Sequence, residues 1–255
     1  MTETATGSAR ALTAEFIGTF ALIFIGAGAA IALGVNHDPP VAFAHGLTIL
    51  VFVAAFGDIS GGHFNPGVTI GLATAGVFPG RRVTPYIVVQ LAGAIAAAYV
   101  LLWAYGGPVA NLGTPLVDTQ RITFGGGFMF EAVGTAFLVS AVLHTAVRSP
   151  SRLAPVAIGM TITLCILGFG VLTGGSINPA RTIGPAVAAG LYEEVPLYIA
   201  AQLVGAIFAG ALYRWFWVQR RASAIVAVQS GAAADPHRLR RSEQPALLQR
   251  GEARI

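Results

Sequence analysis

Two short stretches of the chain share one pattern: Ser60-Gly-Gly-His-Phe-Asn-Pro-Gly67 and Thr173-Gly-Gly-Ser-Ile-Asn-Pro-Ala180. In each, a glycine-containing segment of non-helical composition ends in Asn-Pro, and about ten mostly apolar residues follow. Asn is a good helix N-cap, and Pro suits the first turn, where the donor that it lacks would have had no helical partner. Each stretch therefore predicts a loop that runs into a short helix, beginning at Pro66 or Pro179.

The two stretches lie within an internal duplication of the chain. A shift of 113 positions aligns residues 44–71 with residues 157–184, and 13 of the 28 aligned positions are identical. Nearly the same shift aligns two further pairs of segments. These are Glu15-x-x-Gly18-Thr19 with Glu131-x-x-Gly134-Thr135, and Gln90-Leu91-x-Gly93-Ala94-Ile95 with Gln202-Leu203-x-Gly205-Ala206-Ile207. Shared apolar composition alone does not readily produce three matches at nearly one offset, so we infer two repeats, at about residues 12–105 and 123–218.

The composition indicates that the lipid bilayer is the solvent of this chain. Apolar residues make up 55% of it and charged residues only 10%, whereas about a quarter of the residues of a soluble domain are charged. A transmembrane helix needs about 20 predominantly apolar residues, and six runs are long enough. They lie at about residues 13–34, 41–57, 83–105, 123–147, 152–171 and 195–218. We therefore predict an all-α membrane protein.

Each repeat contains three of these spans, and an odd number places the two copies in opposite orientations in the membrane. The short helices after Asn65 and Asn178 are too short to cross. Non-helical backbone at membrane depth is tolerated only where it is buried in protein or lines a water-filled cavity. The sequence thus predicts six transmembrane helices and two re-entrant half-helices in a single domain, residues 1–218, with a cavity where the half-helices meet.

The basic residues are all arginines, and their positions predict the orientation of the chain. If residue 1 is cytosolic, thirteen of the 15 arginines are cytosolic and only Arg121 and Arg181 lie outside. The positive-inside rule then predicts a multi-pass protein of the cell membrane with both termini in the cytosol. Residues 219–255 carry seven arginines and three acids, a net charge of +4, and we expect a disordered tail. Because the charge excess is confined to this tail, we expect it to lie near anionic lipid, and we expect no nucleic acid partner.

The two Asn-Pro stretches and the repeated glutamates resemble those of the major intrinsic proteins, the family of aquaporins and glycerol facilitators. The resemblance covers about residues 12–218 and implies a passive channel that conducts water in single file and excludes protons and ions. It also implies a homotetramer with one pore in each protomer. The pore motifs would be Asn65-Pro66-Gly67 and Asn178-Pro179-Ala180. The family usually has alanine at the position of Gly67, so we expect slightly looser packing below Asn65.

The asparagines have a physical role in such a pore. The N-terminus of each half-helix carries roughly half a positive charge. The amides of Asn65 and Asn178 cap these ends and can donate hydrogen bonds into the lumen. A water molecule there turns its oxygen toward both amides, which interrupts a continuous proton wire.

The resemblance places the constriction of the pore at His45, Ile166, Gly175 and Arg181. Glycerol facilitators carry bulky aromatic residues at the first and third of these positions and glycine at the second. This chain has neither the aromatic residues nor the glycine at those positions. They also have Asp after the arginine, where this chain has Thr182. The four residues resemble those of one group of plant tonoplast intrinsic proteins, which conduct ammonia as well as water. We predict water as the main solute and ammonia as a second one; the alternative is a channel mainly for ammonia, glycerol or urea.

Glu15, Glu131 and His63 are interpreted as structural support of the loops. A carboxylate inside a membrane is costly and usually functional, so a proton relay is the alternative. The repeat-symmetric placement of the two glutamates favours hydrogen bonds with N–H groups of the unwound loops. For His63 we expect hydrogen bonds with loop carbonyls.

Two other classes of function agree with parts of the pattern. An ion-coupled transporter would need carboxylates beside the helix breaks, where this chain has two neutral asparagines and one arginine. An intramembrane enzyme could use Ser60, Ser176 and the nearby histidines, but the chain has no Gly-x-Ser-x-Gly elbow and no His-Glu-x-x-His motif. A single cysteine, Cys165, excludes an internal disulfide and a cysteine-based metal cage. We expect no metal and no cofactor.

Overall fold

The computed structural model describes residues 5–34 and 39–218, and all regular secondary structure in these ranges is helical. The chain divides into two units, Met1–Tyr213 and Arg214–Ile255. The described residues of the second unit form a π-helical turn, Arg214–Val218. The predicted tail, residues 219–255, lies outside the described residues, and the domain limit at residue 218 stays a prediction. The α-helices of the first unit are α1 (Ala5–Ala21), α2 (Gly28–Leu33), α3 (Pro39–Ser60), α4 (Pro66–Thr74), α5 (Gly80–Tyr105), α6 (Phe124–Val142), α7 (Ala154–Thr173), α8 (Pro179–Ala189) and α9 (Val195–Tyr213).

Six helical segments of the described chain are long and apolar enough to cross a membrane. The first five are Ser8–Leu33, Pro39–Ser60, Gly80–Tyr105, Phe124–Arg148 and Ala154–Thr173, and the sixth begins at Val195. Their ends differ from the predicted spans by five residues or fewer. The first segment joins α1 to α2 through a π-helical turn, Leu22–Ala27, and a second π-helical turn, Leu143–Arg148, follows α6. The predicted fold class, an all-α membrane protein with six spans, is confirmed.

The half-helices α4 and α8 begin where the Asn-Pro pattern predicts. The side-chain Oδ1 of Asn65 accepts hydrogen bonds from the backbone N–H groups of Gly67 (2.8 Å) and Val68 (3.3 Å). Asn178 caps α8 in the same way, at 2.9 and 3.3 Å. The helices have 9 and 11 residues, so at a rise of 1.5 Å per residue they extend about 14 and 17 Å. This is roughly half of the hydrocarbon thickness of a bilayer, so neither helix can cross it.

Glycines let the long helices approach closely at equivalent places in the two repeats. A Cβ atom at Gly93 of α5 would lie 2.4 Å from the carbonyl oxygen of Phe16 on α1. A Cβ atom at Gly205 of α9 would lie 2.0 Å from the carbonyl oxygen of Ala132 on α6. Only glycine allows these helix backbones to pack at such distances. The same contact thus joins the first and third spans of each repeat, as expected for two copies of one unit.

Candidate functional site

The N-termini of the two half-helices meet, and each is tied to the loop of the other repeat. Nδ2 of Asn65 donates to the carbonyl oxygen of Ile177 (3.0 Å), and Nδ2 of Asn178 donates to that of Phe64 (2.9 Å). Both asparagines are buried. An amide nitrogen has two N–H groups, so each asparagine uses one of them to join the repeats. Within the described residues, the second N–H group of each has no protein acceptor.

Glu15 of α1 holds the first loop from behind. Its Oε1 accepts hydrogen bonds from the hydroxyl of Ser60 (2.6 Å) and the backbone N–H of His63 (2.9 Å). Its Oε2 accepts from the backbone N–H of Phe64 (2.7 Å) and from Nε2 of Gln90 (2.8 Å). Four donors converge on this buried side chain, and a carboxylate, which only accepts, matches all of them.

Glu131 of α6 makes the same set of contacts in the second repeat. Its Oε1 accepts from the hydroxyl of Thr173 (2.8 Å) and the backbone N–H of Ser176 (2.9 Å). Its Oε2 accepts from the backbone N–H of Ile177 (2.7 Å) and from Nε2 of Gln202 (3.0 Å). The two carboxylates therefore orient the two loops in equivalent ways, so that the asparagines at the loop ends face each other.

Four of the residues that support the loops were not predicted from the sequence. Gln90 and Gln202 each bridge a glutamate to the hydroxyl of a threonine on the half-helix, at 3.1 Å in both repeats. The hydroxyl groups of Tyr86 and Tyr198 donate to the first carbonyl of each loop, at 2.8 and 2.6 Å. A signal was available, because both pairs align at a shift of 112 positions. Polar residues at equivalent places in two apolar repeats are good candidates for such support.

The histidine of the first loop contacts a different group from the one expected. Nδ1 of His63 lies 3.0 Å from the hydroxyl of Thr69 on α4, and its hydrogen bond is with this hydroxyl instead of a loop carbonyl. That hydroxyl already donates to the carbonyl of Asn65 (3.1 Å), so Nδ1 is the donor. The ring also packs against Phe78 and Tyr86, with centroids 4.7 and 5.2 Å away. These rings direct the imidazole toward the half-helix, a contact that no local sequence pattern indicates.

A small cavity of about 10 Å³ lies beside the two asparagines. Its polar lining residues include His45, Asn65, Asn178 and Arg181, and its aliphatic ones include Leu22, Leu138, Ile162 and Ile166. Gly175 lines it as well. The structure thus brings the four residues of the expected constriction to the same cavity. A cavity of this size holds about one water molecule.

Arg181 carries its charge to this cavity from the first turn of α8. It is 2% exposed, and its Nη1 donates to the carbonyl oxygen of Gly113 at 2.9 Å. Its Nε has no hydrogen-bond partner within the described residues, so a donor remains for a molecule in the cavity. Gly113 ends the 3-10 turn Val109–Gly113, which runs through left-handed backbone with φ of 48°, 53° and 52° at residues 110–112. No sequence motif marks this carbonyl.

His45 lies on α3 and lines the same cavity as Gly175. Its Nδ1 is 2.9 Å from the carbonyl oxygen of Val41, one turn earlier on the same helix. A carbonyl only accepts, so Nδ1 carries a proton and donates it to this carbonyl. Within the described residues there is no group of three or more His, Cys, Asp or Glu side chains placed to hold a metal ion.

Residues 2–213 match the family model described as Major intrinsic protein. The chain is 38% identical over 233 residues to Aquaporin AqpM of Methanothermobacter thermautotrophicus, which covers 79% of this chain and 95% of that protein. It is 38% identical over 224 residues to Probable aquaporin TIP2-2 of Oryza sativa subsp. japonica, which covers 83% of this chain and 88% of that protein. The X-ray structure of the aquaglyceroporin from Plasmodium falciparum has a TM-score of 0.70 at 22% identity, over 82% of this chain and 95% of that chain. This last likeness shows the shared fold.

The family model covers nearly the whole first unit, with both loops, five of the six predicted spans and the sixth as far as residue 213. Proteins of the matched family are passive membrane channels and not enzymes. The two half-helices, their capping asparagines and the cavity beside them are therefore parts of a multi-pass membrane channel, and the chain belongs to the major intrinsic protein family.

Proposed function

We propose that this channel conducts water in single file through the cavity beside Asn65 and Asn178. The observation that carries the proposal is the size and lining of that cavity. About 10 Å³ is room for one water molecule, and it is too little for a three-carbon polyol. The lining supplies amide and guanidinium donors together with aliphatic side chains, so a water molecule makes a few directed hydrogen bonds and otherwise meets an apolar surface.

The same residues oppose the passage of protons and cations. Arg181 places a full positive charge in the wall of the cavity. The N-termini of α4 and α8 each add roughly half a positive charge at the asparagines. A water molecule between them turns its oxygen toward the free N–H groups of Asn65 and Asn178, so its own hydrogens point away from both. A cation meets repulsion, and a chain of waters cannot keep one direction of hydrogen bonding.

Ammonia is proposed as a second solute because of the chemistry of the four constriction residues. NH₃ is small, neutral and able both to donate and to accept hydrogen bonds, so it meets the same contacts as water. His45 adds a polar ring to a position that would otherwise be apolar, and Gly175 leaves room beside it. We further propose that the protein resides in the cell membrane as a homotetramer, with both termini in the cytosol.

The proposal is tested in proteoliposomes that contain the purified protein. Stopped-flow light scattering measures osmotic shrinkage with impermeant solute and re-swelling with glycerol or urea, and an internal pH dye measures alkalinisation on an ammonia gradient. We expect water permeability well above that of empty liposomes, measurable ammonia entry, and glycerol and urea entry close to background. Water permeability at the level of empty liposomes would refute a water channel, and fast glycerol entry would favour the polyol alternative.

The role of His45 is tested by His45→Phe, with Leu47→Phe as the matched control. Leu47 is on the same helix, is 46% exposed, and is not among the described residues that line the cavity. Phenylalanine at position 45 removes the polar partner and narrows the passage, so we expect ammonia entry to fall more than water permeability. The control should leave both unchanged. If His45→Phe lowers both fluxes in equal proportion, this histidine does not select for ammonia.

The role of the fixed charge is tested by Arg181→Val. We expect water flow to persist while larger polar solutes or some cations begin to pass.

A protonophore added to the wild-type assay separates a channel from an ion-coupled transporter. Loss of solute uptake when the proton gradient collapses would argue for the transporter, whereas a channel is unaffected.

A further inference from the structure

Gly26 lies in the π-helical turn Leu22–Ala27 between α1 and α2, and it packs directly against the constriction histidine. A Cβ atom at Gly26 would lie 2.5 Å from Cδ2 of His45, 2.7 Å from its Nε2 and 2.8 Å from its Cγ. Carbon atoms in favourable contact are about 3.5–4.0 Å apart. No side chain therefore fits between this backbone and the imidazole, and the ring edge rests on the glycine itself.

The imidazole has little freedom to retreat from a methyl group at position 26. Its Nδ1 is bound to the carbonyl oxygen of Val41 at 2.9 Å, and the side chain is 2% exposed. Restoring normal contact with a Cβ atom would require a shift of about 1 Å. The ring lines the cavity beside the asparagines, and that cavity has a volume of only about 10 Å³. A shift of this size toward the cavity would close it to water.

We propose that Gly26 is a positioning residue for the constriction. Because it lacks a side chain, the imidazole of His45 can lie back against the first span, and this sets the width of the passage. The inference rests on the proposed function of the cavity. Gly26 is not among the described residues that line the cavity. It acts on the cavity only by setting the position of His45. Gly26 belongs to a π-helical turn, and such turns within α-helices are frequent at functional sites. Leu22 from the same turn lines the cavity.

Gly28 provides a matched control two residues further along. A Cβ atom there would meet Cδ2 of Leu101 at 3.5 Å, an ordinary contact, and no other atom of the described residues outside its own helical segment within 4 Å. Gly28→Ala therefore makes the same chemical change in the same part of the chain without touching the histidine. A difference between the two variants cannot come from the general effect of replacing glycine by alanine in this helix.

The experiment measures osmotic water permeability of proteoliposomes with wild type, Gly26→Ala, Gly28→Ala, His45→Ala and the double variant Gly26→Ala/His45→Ala. We expect Gly26→Ala to lower permeability by at least about fivefold, because a close-packed wall cannot absorb the displaced ring elsewhere. We expect Gly28→Ala to stay near wild type. Without the imidazole there is nothing to displace, so the double variant should match His45→Ala, and the effect of position 26 should vanish in that background.

The outcomes separate this inference from the proposed function. Wild-type protein that fails to conduct water contradicts the proposed function before any variant is compared. Conducting wild type with equal permeability for the Gly26 and Gly28 variants overturns the inference, and so does an equal loss from Gly26→Ala with and without His45. If Gly26→Ala alone cannot be purified as folded protein, recovery of folded protein in the double variant supports the inference, and continued failure overturns it.

Discussion

At the scale of single residues, Asn65 and Asn178 each use both ends of one amide group. The oxygen caps the half-helix that follows, and the nitrogen binds the loop of the opposite repeat. Neither aspartate nor serine can do both, since one lacks the donor and the other lacks the reach. The requirement for asparagine is therefore steric and chemical at once, which explains why the motif occurs twice in the same form.

The glycine of the first motif leads to a prediction. A Cβ atom at Gly67 would lie 3.1 Å from Oδ1 of Asn65 and 3.5 Å from its other nearest neighbours, so a methyl group nearly fits. The second repeat already carries Ala180 under an equivalent cap. We expect Gly67→Ala to stabilise the protein by about 0.4–1 kcal/mol, by restricting the unfolded chain, and to leave water permeability within about twofold. Thermal unfolding in detergent, followed by intrinsic fluorescence, measures the stability.

Gly71, one turn further along α4, is the control for that substitution. A Cβ atom there would lie 2.6 Å from a methyl group of Val139, so Gly71→Ala should lower the melting temperature. If Gly67→Ala lowers it as much as Gly71→Ala does, the half-helix needs glycine at position 67 for a reason other than space.

The lone cysteine leads to a prediction about mercurials. Cys165 is 6% exposed, and the described lining of the cavity includes its neighbour Ile166 but not Cys165 itself. Adjacent residues of a helix point about 100° apart, so the thiol faces away from the solute path. We expect HgCl₂ to inhibit water flow weakly, and equally in wild type and Cys165→Ser. Strong inhibition that disappears in Cys165→Ser would place the thiol on the path.

At the scale of elements, the two loops are built around buried carboxylates. Non-helical backbone inside a membrane leaves N–H groups that water cannot satisfy, and Glu15 and Glu131 each accept two of them. Each glutamate also receives a hydroxyl and an amide donor from other helices. The loops therefore hold their shape through contacts with α1, α5, α6 and α9, and not through any helical propensity of their own.

Replacing either glutamate by glutamine tests this role. Glutamine keeps one accepting oxygen but turns an NH₂ group toward donors that already face the site, which leaves at least two buried donors unsatisfied. Each costs about 1–3 kcal/mol, so we expect Glu15→Gln and Glu131→Gln to lower the melting temperature strongly and by similar amounts. Differential scanning fluorimetry with a thiol-independent dye measures this.

The same two variants distinguish support from a proton relay. A relay carboxylate would give variants that fold normally and differ from wild type in proton leak across liposomes with a pH gradient. Normal melting temperatures with an altered proton leak would therefore contradict the structural role of Glu15 and Glu131.

At the scale of the whole molecule, close helix crossings join the two repeats around the cavity. Between α3 and α7, a Cβ atom at Gly46 would lie 2.5 Å from the carbonyl oxygen of Gly159, and one at Gly159 would lie 2.4 Å from that of Gly46. These glycines are equivalent in the duplication. Their reciprocal contact holds the helices that carry His45 and Ile166 at a fixed separation, so the spacing of the constriction is a property of the repeat interface.

The orientation of the molecule is a prediction with a direct test. In a Cys165→Ser background, Gln120→Cys and Ser149→Cys each place one thiol at an exposed loop position. The distribution of arginines puts residue 120 outside and residue 149 inside. A membrane-impermeant maleimide should label Gln120→Cys in intact cells and Ser149→Cys only after permeabilisation. The reverse result would show that the chain is inserted the other way.

The expected tetramer is tested by cross-linking in membranes followed by native mass measurement in mild detergent. The family resemblance predicts four protomers, and small exposed residues such as Ala54, Ala55 and Gly168 are compatible with close contact between copies. A single monomeric species under both conditions would contradict the prediction.

Much of the fold follows from local features of the sequence. The length of each apolar run determines how many times the chain can cross a bilayer, and Asn-Pro determines where each half-helix starts, because capping and the missing proline donor act within one turn. The duplication adds the inverted pairing, since two copies with three spans each can only insert in opposite directions. These inferences depend on neighbouring residues and on the thickness of the membrane, and both can be read from the chain.

The fine geometry of the site was decided only by the tertiary structure. Gly113 receives the hydrogen bond of Arg181 across 68 positions of sequence, His63 turns to Thr69 because aromatic rings surround it, and Gly26 lies under His45 through the packing of two different spans. No periodicity or motif encodes such contacts, because each depends on distances of a few tenths of an ångström between helices whose positions are set by all of their packing at once.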